Sequence, residues 1–414
     1  MATLAENRTL PNAAGQVPPV PLDGALVVRP LSVVPEGEEF LVGDPERAEY
    51  VLLPAVGVQV IRLLQSGRTV GAVAAEIGAA VDVPDFIVTL LQLGFASPPT
   101  AGPAGPTARA AWRVPRFLVR PLFGRIAWAS YAACAAVAAT LLAWRSDLVP
   151  RVDDIFFLPS PLASIAGVTL LMYLRASLHE AYHWAAARAE GLDARITISR
   201  RLYVLALETD LTRLWSLPRR RRFGPLLAGM ASDAVVLCGA LVARLGDADS
   251  WWHLASGLAP LLAALAFVAF AGLIAQCYVF ARTDLYAVLV AATGCVNLWR
   301  VNQLHLLARL RQLRPDERQE LAEAHPQDLA VARWFAWVYV TGLALAAGFF
   351  LVYYVPATVR LVGWLVSTVA AAQVATLEFW AALLFAGVVL SPHALTLVVI
   401  IRELSQRLSA ARRT

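Results

Sequence analysis

Unbroken apolar runs dominate this chain, at residues 126–144, 161–187, 223–242, 254–280, 331–354 and 379–401. A hydrocarbon layer about 30 Å thick is crossed by about 20 apolar residues of helix, so the pattern predicts six transmembrane helices. Residues 356–374 are more weakly apolar and read as an interfacial helix.

The first hundred residues follow a different rhythm. Residues 1–24 are rich in Pro, Ala and Asn without a period and read as disordered. Phe40-Leu41-Val42 and Tyr50-Val51-Leu52-Leu53 flank Gly43-Asp44-Pro45-Glu46-Arg47, which predicts two strands and a turn. Pro54 suits the start of a helix carrying Val56, Val60, Leu63 and Leu64 and closed by Gly67. Thr69 can cap a second helix through Ile77, and a third runs from Phe86 to Leu93 and stops at Gly94. Residues 97–124 read as a linker, rich in Pro and Gly and then in arginine. The expected architecture is an all-α polytopic membrane protein with a small N-terminal α+β, winged-helix-like domain at 25–96. A membrane core occupies 125–300, and a further segment with the last two spans occupies 301–414.

Composition agrees: 58% of the 414 residues are hydrophobic and only 16% charged, where soluble domains carry about a quarter. The lipid bilayer is therefore one partner. The net charge of +5 does not imply nucleic acid, because the arginines flank apolar runs, where they report orientation. Arg109, Arg113, Arg116, Arg120 and Arg125 precede the first span, and Arg219-Arg220-Arg221-Arg222 precede the third. Asp147, Asp153, Asp154, Asp247 and Asp249 fall on the opposite side. Charge and span count together predict a plasma-membrane protein with both termini cytoplasmic and, with no basic and apolar leader at its start, no cleaved signal peptide. Cys134, Cys238, Cys277 and Cys295 lack paired spacing and read as free thiols.

The chemistry lies near the end of the second run, in His179-Glu180-Ala181-Tyr182-His183. Histidines four apart share a helix face, so both imidazoles can reach one Zn2+ ion, with the glutamate beside it as general base for peptide-bond hydrolysis. Ionisable groups inside an apolar segment are expensive and mark function. A catalytic zinc takes three protein ligands, and the depth of Asp284 at the end of the fourth run makes it the first choice for the third. Asp210 and Glu208 are rivals, and the intramembrane Asp233 reads as support for a metal-bound histidine. His253, His305, His325 and His393 lack neighbours at metal spacing and read as structural. Residues 195–198 and 202–205 alternate around Ser199-Arg200-Arg201, predicting a hairpin at the membrane surface.

These motifs resemble the site-2 protease family of intramembrane zinc metalloproteases, and more closely its bacterial peptide zinc metalloprotease branch. That family joins His-Glu-x-x-His on one membrane helix to a later aspartate. Here Asp284-Leu285-Tyr286 is followed by Cys295-Val296-Asn297-Leu298, similar to the Pro-Asn-Leu downstream in that branch. The family's glycine after the aspartate and its upstream Asn-Pro are missing. The resemblance spans residues 125–300 and implies that His179, His183 and Asp284 hold zinc while Glu180 is the catalytic base. It also implies strands near the site on which an extended substrate is aligned by backbone pairing.

The hairpin and three helices of residues 25–96 resemble the PqqD-like fold, the recognition element of ribosomal peptide biosynthesis. This second likeness implies a leader peptide added to a sheet edge, with 40–42 and the helix at 85–93 forming the groove. The substrate expected is a peptide or membrane-tethered segment cleaved near the cytoplasmic face, with processing of a ribosomally made peptide as one form. Non-proteolytic export or immunity on the same scaffold, or regulated cleavage of a membrane regulator, are the alternatives.

Overall fold

The computed structural model describes residues 26–97 and 114–371, apart from 48, 202–203 and 256, and a few isolated positions between 376 and 387. The expected sixth span at 379–401 and His393 lie largely or wholly outside the described residues.

The N-terminal unit contains β1 (Val27–Val28), β2 (Ser32–Glu36), β3 (Glu39–Asp44) and β4 (Glu49–Leu53). They are followed by α1 (Ala55–Gln65), α2 (Val70–Ile77), α3 (Val83–Gln92) and β5 (Ala96–Ser97). The expected caps form: the Thr69 side chain accepts from Ala72 N, and Gly67 and Gly94 take φ of +85° and +66° after α1 and α3. The strand order β2-β3-β4 adds a strand that the sequence reading missed, and β1 pairs with β5. Residues 40–42 therefore lie on a central strand bonded on both sides, not on an edge, which corrects the expected groove.

The sheet is covered on both faces. Val42 packs in one cluster with Val58, Val73 and Ile87, one from each of the three helices, and Val51 and Leu53 join that cluster. Leu41, Tyr50 and Leu52 face the other way, onto Val279, Tyr286, Val290 and Phe335. Two covered faces explain why these strands read as continuous apolar runs instead of alternating ones. Burial in that interface pushes the Tyr50 phenol up to about 12.

The basic end of the expected linker is folded, as α4 (Arg116–Val119) and a 3-10 turn at Arg120–Phe123. Then come α5 (Arg125–Trp144), α6 (Pro161–Ala189), and the hairpin β6 (Arg195–Arg201) and β7 (Val204–Asp210). The strand pairing extends to Arg201↔Val204, past the turn expected at 199–201. The remaining helices are α7 (Arg219–Ala248), α8 (Leu258–Gln276), α9 (Asp284–Thr293), α10 (Leu298–Leu310), α11 (Pro315–Ala322), α12 (Pro326–Phe349) and α13 (Val355–Ala371).

Among the described residues five helices are long and apolar enough to cross a membrane: α5, α6, α7, α8, and α12 with α13 as one helix of 46 residues. A π-helical turn at Phe350–Tyr354 joins the last two, so the segment expected as a separate interfacial helix continues α12. The bundle is organised around α7, which packs against α5, α6, α8 and α9. Its apolar window is 61% buried, against 6% for α5, whose side chains face outward. Ile126, Trp144 and Trp337 are 86%, 84% and 69% exposed, an apolar surface that water does not tolerate and lipid does.

The N-terminal unit is fastened to this bundle by charge as well. Glu36, at the end of β2, meets the Arg222 guanidinium at 2.9 Å, with the arginine side chain 1% exposed. His325, which caps α12, lies 3.1 Å from Glu39. The arginine run that opens α7 thus also ties neighbouring elements together. Arg219 donates to the Ala291 and Ala292 carbonyls that end α9, and Arg221 donates to Glu190 at 2.6 Å.

Candidate metal centre

Pro161 opens α6 at its first position with Ser160 capping Ala163 N, and the helix then runs 29 residues to Ala189. His179 and His183 lie one turn apart on its inner face, 4% and 2% exposed. Asp284 reaches them from elsewhere than expected. The fourth span stops at Gln276, the chain turns through Val279–Ala281 with Arg282 at φ +57°, and Asp284 is the first residue of a new helix, α9. The Arg282 guanidinium stacks 3.9 Å over the Trp299 ring, while the Asp284 carboxylate faces the histidines.

Three atoms converge. Asp284 Oδ2 lies 2.8 Å from Nε2 of His179 and 3.0 Å from Nε2 of His183, and the two Nε2 atoms are 3.1 Å apart. The opposite ring nitrogens are held by other helices. Nδ1 of His183 lies 2.7 Å from the Pro225 carbonyl, which can only accept, so Nδ1 carries the proton and Nε2 a lone pair. Nδ1 of His179 donates to Asp233 across 2.9 Å, so in the neutral ring Nε2 is likewise the nitrogen that carries the lone pair. Two lone pairs and a carboxylate oxygen therefore face one point. This buried His-His-Asp group has the donor chemistry of a metal site.

The surrounding helices are shaped to it. At Gly229 of α7 a Cβ would lie 2.4 Å from both Nε2 atoms, so only glycine lets the rings reach that depth. Arg175, one turn before His179, grips Asp233 with two bonds of 2.8 Å. Its guanidinium lies against α8 at Gly272, where a Cβ would come within 2.3 Å of it. Gln276 accepts from the Asp284 backbone N–H at 3.0 Å, fixing the start of α9. Arg175, Gly229, Gly272 and Gln276 were missed by sequence reasoning. Arg175 had a visible signal, as an arginine inside an apolar run four residues before a motif histidine.

Glu180 faces the hairpin: its carboxylate accepts from Thr209 N at 2.8 Å, and its backbone carbonyl accepts from Thr209 Oγ1 at 3.0 Å. The rivals separate clearly. Asp210 accepts from both N and Oγ1 of Thr212, which makes it a turn cap, and Glu208 lies on β7 outside the His-His-Asp group. Asp233 supports His179, as the sequence suggested. His325 pairs with Glu39, and His253 and His305 stand apart from the group.

Comparison of the chain with protein-family models, curated proteins and solved structures finds no match.

Proposed function

We propose that the chain is an intramembrane zinc metalloprotease that hydrolyses a peptide bond near the membrane face on which its N-terminal unit lies. The observation that carries this reading is the convergence of the two imidazole Nε2 atoms, on the helix that also carries Glu180, with the Asp284 carboxylate. His179, His183 and Asp284 would hold the ion, the three-ligand set that leaves a catalytic zinc one open position. Bound there, zinc would supply Lewis acidity, polarising a peptide carbonyl and bringing a water's pKa to about 7.

Glu180 takes the proton from the attacking water and returns it to the leaving amine. The Thr209 N–H holds the Glu180 carboxylate in place for both transfers. Asp233 and the Pro225 carbonyl keep both histidines in the tautomer that coordinates through Nε2. The depth fits such a substrate: α6 is about 44 Å long, and its first histidine lies about 27 Å from its start, at the far end of a hydrocarbon layer of about 30 Å. Strand β7 runs past Glu180, which suits a substrate in extended form.

The N-terminal unit is proposed to recruit that substrate, a peptide or membrane-tethered segment, because a fused binding module raises its local concentration. With β3 central, strand addition falls to the outer strands β2 and β4. The test compares membranes carrying the wild-type chain with membranes carrying Glu180→Gln. Purified Glu180→Gln retains about one zinc per chain, and the uncut substrate accumulates in its membranes alone. Cleavage at the wild-type rate by Glu180→Gln overturns the reading, and iron in place of zinc would redirect it toward the oxygen chemistry of two-histidine, one-carboxylate sites.

A further inference from the structure

A cavity of about 660 Å³ opens between α4, the start of α5 and the end of α6. Four arginines line it, Arg116, Arg120, Arg125 and Arg221, against a single carboxylate, Glu190. Arg221 is taken by Glu190 at 2.6 Å, and Arg116 donates to the Ala189 carbonyl at 3.1 Å. Arg120 and Arg125 make no ion pair among the described residues. The net charge of the cavity is therefore strongly positive. The first turn of α5 adds to it: its N-cap is Gly124, with no side chain to satisfy the free N–H groups.

The rim is the opposite in character. Phe117, Leu118, Leu122 and Ile126 are 72%, 57%, 46% and 86% exposed, and Ile126 opens the first spanning helix. Such apolar exposure beside unneutralised arginines suits a molecule with an anionic head and apolar tails.

We infer that this cavity binds the phosphate headgroup of an anionic phospholipid, with Arg120 and Arg125 contacting the phosphate and the acyl chains lying along Phe117, Leu118 and Ile126. A soluble phosphate would use the arginines and leave the apolar rim without a purpose, so the lipid is the source that accounts for both. The cavity wall also touches the helix that carries the histidines. Phe123, in its wall, makes an edge contact with Tyr182 at 6.1 Å, and Tyr182 precedes His183. The inference holds whether or not the chain is a protease.

The full-length chain in detergent, incubated with equal phosphatidylglycerol and phosphatidylcholine, is read by native mass spectrometry for retained lipid. Phosphatidylglycerol is expected as one preferred adduct. Arg120→Gln with Arg125→Gln should weaken its retention roughly thirtyfold, the loss of two basic contacts to an anionic surface. Arg120→Lys with Arg125→Lys should keep most of it, and Arg318→Gln on α11 should leave it unchanged. Equal retention of the two lipids, or an unchanged adduct in the double glutamine variant, overturns the proposal. Displacement of the lipid by equimolar inorganic phosphate overturns it too, by making soluble phosphate the ligand.

Discussion

Asp233 and His179 are joined across two membrane helices by a hydrogen bond of 2.9 Å, and Arg175 holds the same carboxylate with two more. An ionised aspartate 1% exposed is stable there only because a guanidinium and an imidazole N–H share its charge. The arrangement fixes which nitrogen of His179 is free, which is a condition for coordination.

Asp233→Asn should therefore weaken metal binding by about 10 to 100-fold, the usual cost of losing such a partner. Asp284→Ala, which removes a ligand atom, should abolish retention of metal through purification. Competition with a chromophoric chelator measures both. If Asp284→Ala keeps stoichiometric metal while Asp233→Asn releases it, the ligand assignment is wrong.

At Gly229 the added methyl of alanine would meet both Nε2 atoms at 2.4 Å, whereas at Gly239 on the same helix nothing lies within 4 Å. Gly229→Ala is expected to lose metal and activity. Gly239→Ala should keep both and gain slightly in helix stability, by up to about 1 kcal/mol. Metal content per chain and thermal unfolding of the two variants decide the matter.

The Glu36–Arg222 pair gives a test of how the N-terminal unit is held. Breaking a buried pair from one side costs about 3–5 kcal/mol, whereas replacing both partners with apolar groups is often neutral. Arg222→Met alone should lower the unfolding temperature. Arg222→Met with Glu36→Leu should recover most of the loss. Equal destabilisation in the single and double variants would mean that the pair does not couple the two units.

Reporter fusions address orientation. Placed after Asp249 they should report the outside, and after Leu310 the cytoplasm, following the arginine-rich segments. A cytoplasmic signal after Asp249 would put His179 and His183 on the other side.

The histidine pair was legible because a four-residue spacing needs only one helix to become a shared face. Asp284 was legible from its depth at the end of the fourth apolar run, although its placement differs: it starts a new helix after a break at Gln276 instead of ending the fourth span. Gly229 and Gly272 were not legible, since a glycine within an apolar run looks the same whether or not a ring packs against it. Strand β2 was hidden by Pro35 and Glu36, residues that depress strand propensity but suit an outer strand. The burial of the sheet's second face was written in Tyr50 and Leu52, yet nothing local says which surface they seek.

Helix α9 carries a consequence for how the two halves of the molecule communicate. It is a strut about 15 Å long, pinned at one end by Asp284 against the histidines and at the other by Arg219 on its last carbonyls. Its flank, through Tyr286 and Val290, rests on Leu41 and Tyr50 of the N-terminal sheet. A rigid body held at both ends cannot absorb a shift of that sheet by bending. A displacement of that sheet therefore bears on the helix whose first residue, Asp284, supplies the carboxylate of the His-His-Asp group.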